Sequence, residues 1–176
     1  MTLAVPRTGV RPTTDRVREA IFSSLGARIP GAGVLDLFAG TGALGLEAAS
    51  RGAESVIFVE NARGALECLE RNMAAFRRNR GAEREFSVTR QTVATQLRKL
   101  VGDGETFPLI FADPPSGEAA QELLLDENLP RLLADEGMFV LESAKRETLT
   151  MNKPWELVRE SIYGDTRISF VRRELS

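Results

Sequence analysis

An α/β fold, with a doubly wound and mostly parallel sheet closed by an antiparallel C-terminal hairpin, is predicted by three observations. Short apolar runs alternate with helical patterns from Val34 to Glu142, the order that builds parallel sheets. One run, Val34 to Phe38, turns through Gly40-Thr41-Gly42 into a helical stretch, Ala43 to Ser50. The last two runs, Glu156 to Ile162 and Arg167 to Arg172, flank Tyr163-Gly164-Asp165, which reads as a hairpin on the sheet edge.

The 176 residues are 43% hydrophobic and 27% charged, enough for one globular domain with a full core. Residues 1–10 read as a short extended segment, with Pro6 and Gly9 as breakers, and 11–176 as the single domain. No apolar run reaches the length of a membrane span, and no signal-peptide core occurs. The one cysteine, Cys68, falls in an amphipathic helix pattern where packing is its expected role, and the cytoplasm is the expected compartment. The chain has no histidine, which disfavours a Ser-His-Asp hydrolase and a metal centre. A net charge of −2 exerts no global pull on nucleic acid, so RNA binding would rest on local basic patches.

Taken in order, Thr13 reads as the N-cap of a first helix after Pro12, with Asp15 in its first turn. Val17, Ala20, Ile21 and Leu25 line its apolar face, and Arg16, Arg18 and Glu19 fall largely elsewhere. Ser55 to Glu60 reads as a second buried strand. Ala62 to Asn79 is a helix whose stripe is Leu66, Leu69, Met73 and Phe76. Phe86 to Thr89 is a third strand and Thr92 to Val101 a helix. A fourth strand, Leu109 to Ala112, stops at Asp113-Pro114-Pro115-Ser116, since prolines end a strand and stiffen the turn. Gly117 to Ala134 reads as helical with a break at Pro130, and Gly137 to Glu142 as a fifth strand.

The glycine turn admits competing readings. Gly40, Gly42 and Gly45 spell G-x-G-x-x-G, with Glu60 twenty residues past Gly40, the dinucleotide fingerprint. Asp36 argues against a dinucleotide. Near the carboxyl end of its strand it would repel a pyrophosphate and suit a cationic amino acid end. S-adenosylmethionine carries an ammonium and a sulfonium and no phosphate, and Glu60 would accept hydrogen bonds from its ribose. An NAD-like cofactor and a ligand-free structural turn stay open beside it. Asp113 is expected on the same carboxyl edge as Asp36 and Glu60, where open α/β sheets bind ligands.

Asp36-x-x-x-Gly40-x-Gly42, the acid at Glu60 and Asp113-Pro114-Pro115 resemble the class I S-adenosylmethionine-dependent methyltransferases. R-P-T-T-D-R-V-R-E-A-I-F at 11–22, L-D-L-F-A-G-T-G-A-L-G-L-E-A at 35–48 and Y-G-D-T at 163–166 resemble, more narrowly, the bacterial 16S rRNA guanine-N2 methyltransferase family. The resemblance runs from about Arg11 to Arg173. It implies a Rossmann-like, seven-stranded class I methyltransferase fold and methylation of the exocyclic amine of one guanine in 16S rRNA of the small ribosomal subunit, during or after assembly. Family members usually carry Phe or Tyr where Ser116 stands and a basic, glycine-containing hairpin ahead of the stretch that begins at Arg11, and often a polar Asn or Asp where Thr92 stands.

The resemblance also implies a site. Asp113, Pro114, Pro115 and Ser116 form the catalytic turn, with the Asp113 carboxylate and the Pro114 carbonyl accepting from the guanine amine. Asp36, Phe38, Ala39, Gly40, Thr41, Gly42, Glu60, Asn61, Thr92 and Asp113 would hold S-adenosyl-L-methionine. Arg7, Arg11, Arg16, Arg18, Lys145 and Arg146 would face RNA. Phe22 or Tyr163 is a candidate aromatic wall for the base. The expected partner is 16S rRNA or the assembling small subunit, with no membrane, no metal and a monomeric enzyme. Two alternatives remain: a catalytically weakened RNA- or assembly-binding relative, and a methyltransferase of another amine, such as adenine N6 or a Gln amide.

Overall fold

A computed structural model describes residues 3–4, 14–80 and 85–175. The extended N-terminal segment falls mostly outside these residues, as do Thr13, Arg7 and Arg11. The described residues form the helices and strands α1 Asp15–Leu25, β1 Gly33–Leu37, α2 Ala43–Ser50, β2 Ser55–Val59, α3 Arg63–Arg80, β3 Glu85–Thr89, α4 Val93–Gly102, β4 Phe107–Ala112, α5 Gly117–Leu125, α6 Leu129–Leu132, β5 Leu133–Ala144, β6 Trp155–Tyr163 and β7 Thr166–Arg173. The strands make one seven-stranded sheet of order β3-β2-β1-β4-β5-β7-β6. The first five strands run parallel and β7 is antiparallel to both neighbours, as the alternation and the terminal hairpin predicted.

Three local differences have physical causes. The cap of α1 is Thr14, whose Oγ1 accepts from Val17 N at 3.3 Å, so the helix starts one residue later than a cap at Thr13 would place it. The stretch Gly117 to Ala134 is not one broken helix. Asp126 Oδ1 accepts from the N–H groups of Asn128 and Leu129 and turns the chain, so Pro130 falls in the first turn of α6. A missing N–H costs nothing there. The fifth strand begins at Leu133 rather than Gly137, because a register shift between Phe107 and Leu109 absorbs the intervening residues of β5.

Alternation along β1 divides the core. Val34 joins Val17, Ile21, Phe58, Leu69 and Phe111 under α1 to α3, whereas Leu35 and Leu37 join Leu97, Ile110, Leu123 and Phe139 under α4 to α6. Asp36 therefore occupies a core position on the α2 face, in register with Phe58 and Phe111. Cys68 is buried in α3, in keeping with packing. Among the described residues no helix is long and apolar enough to cross a membrane.

Close approach of α2 to the sheet depends on Gly45. A Cβ there would lie 2.5 Å from Phe58 Cε1, 2.8 Å from Val56 Cγ1 and 2.9 Å from Asp36 Oδ2. Gly45→Ala is expected to destabilise by about 1–3 kcal/mol through overpacking. Gly102→Ala, where a Cβ meets nothing within 4 Å, is expected to stabilise by up to about 1 kcal/mol. Urea unfolding of the two variants measures both signs.

Candidate active site

Strands β2, β1 and β4 lie side by side, and the chain reverses its direction of travel across the sheet between β1 and β4. That switch point opens a crevice at the carboxyl ends of the strands. Asp36 is the penultimate residue of β1, Glu60 follows β2 and Asp113 follows β4. All three line one cavity of ≈ 610 Å³, a size typical of small-ligand sites. Phe38, Ala39, Gly40, Thr41 and Asn61 line it at the glycine turn, and Pro114, Pro115 and Ser116 line it beyond β4. The convergence expected of the three acids is therefore observed.

Asp36 has two roles. Helix α2 begins at Gly42, which has no side chain to cap it. Asp36 Oδ2 accepts from Gly45 N at 3.0 Å and so satisfies a first-turn N–H from outside the helix. The residue is only 2% exposed. Burial raises its carboxyl well above the usual range; the Gly45 N–H opposes this, and the nearby Glu60 charge adds to it.

Glu60 organises the glycine turn. Its Oε1 accepts from Gly40 N at 2.8 Å, and its Oε2 from Asn61 N at 3.0 Å and Ala62 N at 2.9 Å. A carboxylate offers about four acceptor sites, so Oε1 keeps one for a ligand hydroxyl. Phe38 joins β1 to the turn with φ 54°, a left-handed conformation that a bulky residue adopts only under strain. Ala39 N donates to Val59 O at 3.0 Å and holds it there.

Beyond β4, Asp113 N donates to Leu37 O at 3.4 Å, which fixes the Asp-Pro-Pro turn to β1. Ser116 caps α5, its Oγ accepting from Ala119 N at 3.1 Å. A large aromatic at this position could not make that bond. The serine just ahead of the helical stretch at Gly117 was a legible cap signal.

Several expected site residues lie elsewhere. Gly42 does not line the cavity; it sits behind it with φ 85°, where a Cβ would collide with Leu69. Thr92 is exposed, caps α4 by accepting from Thr95 N at 3.2 Å and does not line the cavity. Phe22 is no aromatic wall: it is 1% exposed and packs on Phe111 with ring centroids 5.5 Å apart. Tyr163 is half-buried against the α1 side of the core, with the Arg16 guanidinium 5.7 Å from its ring centre. Arg18 leaves the exposed basic set, because it is 5% exposed and pairs with Asp15. Arg16 and Lys145 are exposed and Arg146 lines the cavity.

The cavity also takes residues that the sequence alone did not single out. Thr14 reaches it from the start of α1, Glu142 and Ser143 from the end of β5, Glu147 from the following loop, and Asp165 and Thr166 from the hairpin turn. The Y-G-D-T motif was the available signal for the last two.

The fold and this strand-end arrangement define a Rossmann-like, class I methyltransferase architecture. The family model described as Conserved hypothetical protein 95 matches residues 2–172. The Ribosomal RNA small subunit methyltransferase D of Escherichia coli K12 is 35% identical over 172 residues, covering 94% of this chain and 81% of the relative. The chain belongs to this family. A solved structure of a hypothetical protein from Thermus thermophilus superposes with a TM-score of 0.80 at 30% identity, covering 98% of this chain and 93% of that one. A structure described as a putative methyltransferase complexed with SAH superposes at 0.71 with 16% identity, over 89% of this chain and 48% of that one, and shows the fold alone.

The raised Asp36 carboxyl makes a stability prediction. The folded state binds the proton more tightly than the unfolded chain, so this group costs stability as pH rises above its ordinary range. Asp36→Asn keeps an oxygen for Gly45 N and removes that cost. The ligand-free variant is expected to melt above the parent at pH 7, with the gain shrinking as pH falls toward about 4. Paired thermal melts across that interval measure it.

Proposed function

We propose that this protein transfers the methyl group of S-adenosylmethionine to the exocyclic N2 amine of a guanine in small-subunit ribosomal RNA. The observation that carries the reading is a single cavity bounded at one end by Asp36, the glycine turn and Glu60, and at the other by Asp113-Pro114. The first end suits a donor that is cationic and lacks phosphate. Asp36 faces its ammonium, the Gly40-Thr41 turn lets its chain approach the backbone, and the open site on Glu60 Oε1 takes a ribose hydroxyl.

The second end suits an amine conjugated with a ring. Its lone pair is delocalised, so it attacks poorly. The Asp113 carboxylate and the Pro114 carbonyl accept its two hydrogens and turn the lone pair toward the sulfonium methyl. Both acceptors sit on a proline-stiffened turn, so little reorganisation is needed during transfer. The C–S bond breaks as the C–N bond forms, and S-adenosylhomocysteine leaves. The methylated nitrogen then loses a proton to Asp113 or water. The relatives' names supply the rRNA, and the basic residues Arg16, Lys145 and Arg146 supply phosphate contacts.

Transfer of tritiated methyl to naked rRNA, small-subunit particles and DNA tests the reading. Label is expected in N2-methylguanine of small-subunit RNA alone. Asp113→Ala is expected to lower kcat by about 100- to 1,000-fold. Label in adenine, or in protein, would replace the reading with another amine.

A further inference from the structure

The fifth strand leads into a loop that is held more firmly than its position at the cavity edge requires. Arg167 of β7 donates from Nη1 to the Glu147 carbonyl at 2.7 Å and from Nη2 to the Lys145 carbonyl at 2.9 Å. Its Nε reaches Glu160 Oε1 at 3.3 Å. Glu147 N donates back to Ala144 O at 3.0 Å, and Lys145 N to Asp165 O at 2.7 Å. Residues 145–147 are thus fixed from β7, the hairpin turn and their own strand.

This fixed backbone places both Arg146 and Glu147 at the cavity. Glu147 lines it, and its carboxyl lies directly on Gly117, the residue after Asp113-Pro114-Pro115-Ser116. A Cβ on Gly117 would displace that carboxyl from its present position. The carboxylate also rests at the first turn of α5, where the helix dipole favours an anion. A pure acceptor is therefore stationed beside the turn that takes the target amine.

We infer that Glu147 is the specificity-determining residue that selects guanine over other amine-bearing bases, by accepting from the ring N1–H. The inference rests on the methyl-transfer reading above and supplies its base preference. Guanine presents an N1–H donor next to its exocyclic amine. Adenine presents a bare N1 acceptor next to its own. A carboxylate accepts from the first and repels the second, so one group both attracts the right edge and rejects the wrong one. Asp113 and Pro114 cannot make this distinction, since both bases offer them an NH2 group.

2-Aminopurine isolates the contact, because it keeps the 2-amino group but has no N1–H. The probes are small-subunit particles reconstituted with guanine or 2-aminopurine at the nucleotide that the parent enzyme methylates, with excess S-adenosylmethionine. Parent enzyme is expected to prefer guanine. Glu147→Ala is expected to lower kcat/KM on guanine by about 10- to 100-fold while holding or raising it on 2-aminopurine, so the preference collapses. Glu147→Gln, whose carbonyl still accepts, is expected to recover part of the guanine rate, with donor affinity unchanged in both variants. An undiminished guanine preference in both variants, with only the melting temperature altered, overturns the inference and leaves the methyl-transfer reading intact. Failure of the parent to methylate guanine at all overturns both.

Discussion

One hydrogen bond connects the scaffold to the cavity: Asp36 Oδ2 accepts from Gly45 N at 3.0 Å, within a nearly solvent-free core. It joins β1 to α2 and stands in for the cap that Gly42 cannot provide. It also leaves a carboxyl group at the cavity wall, at a cost in desolvation that hydrophobic packing elsewhere must offset. A hydrocarbon at this position would suit the core better. Its neighbours on the same face, Phe58 and Phe111, are apolar and buried, so the Gly45 N–H is what offsets part of that cost.

The donor end and the acceptor end of the cavity are built by different means. The donor end is a glycine turn, held by backbone N–H groups that converge on Glu60. The acceptor end is a proline turn, stiff by covalent structure and tied to β1 through Asp113 N and Leu37 O. Both ends hang from adjacent parallel strands, so their separation is set by the sheet and not by loop conformation. That rigidity suits a reaction in which orientation lowers part of the barrier.

The antiparallel hairpin contributes more than an edge to the sheet. Arg167 directs its donors to the loop after β5, and Asp165 and Thr166 reach the cavity from the turn. The C-terminal strands thereby shape the region where the acceptor would enter, although they lie far along the chain from Asp113.

Much of this was legible in the residues themselves. The mostly parallel sheet, the glycine turn and the rim position of Asp36, Glu60 and Asp113 all follow from local apolar runs that end in Gly, Pro or an acid, because such signals act within a few residues. The assignments that failed needed contacts between distant segments. Phe22 looks like any aromatic until Phe111 packs on it, and Arg18 looks solvated until the core closes over it. Thr92 could be placed at a helix start, where it caps α4, but its absence from the cavity wall could not be read from the sequence. Glu147 carries no local mark at all. Sequence determined which elements form and which groups stand at their ends, since backbone propensity and hydrophobic period are short-range. Only the tertiary structure decided which of those ends meet in one cavity, since that depends on sheet order and on side chains packed from opposite ends of the chain.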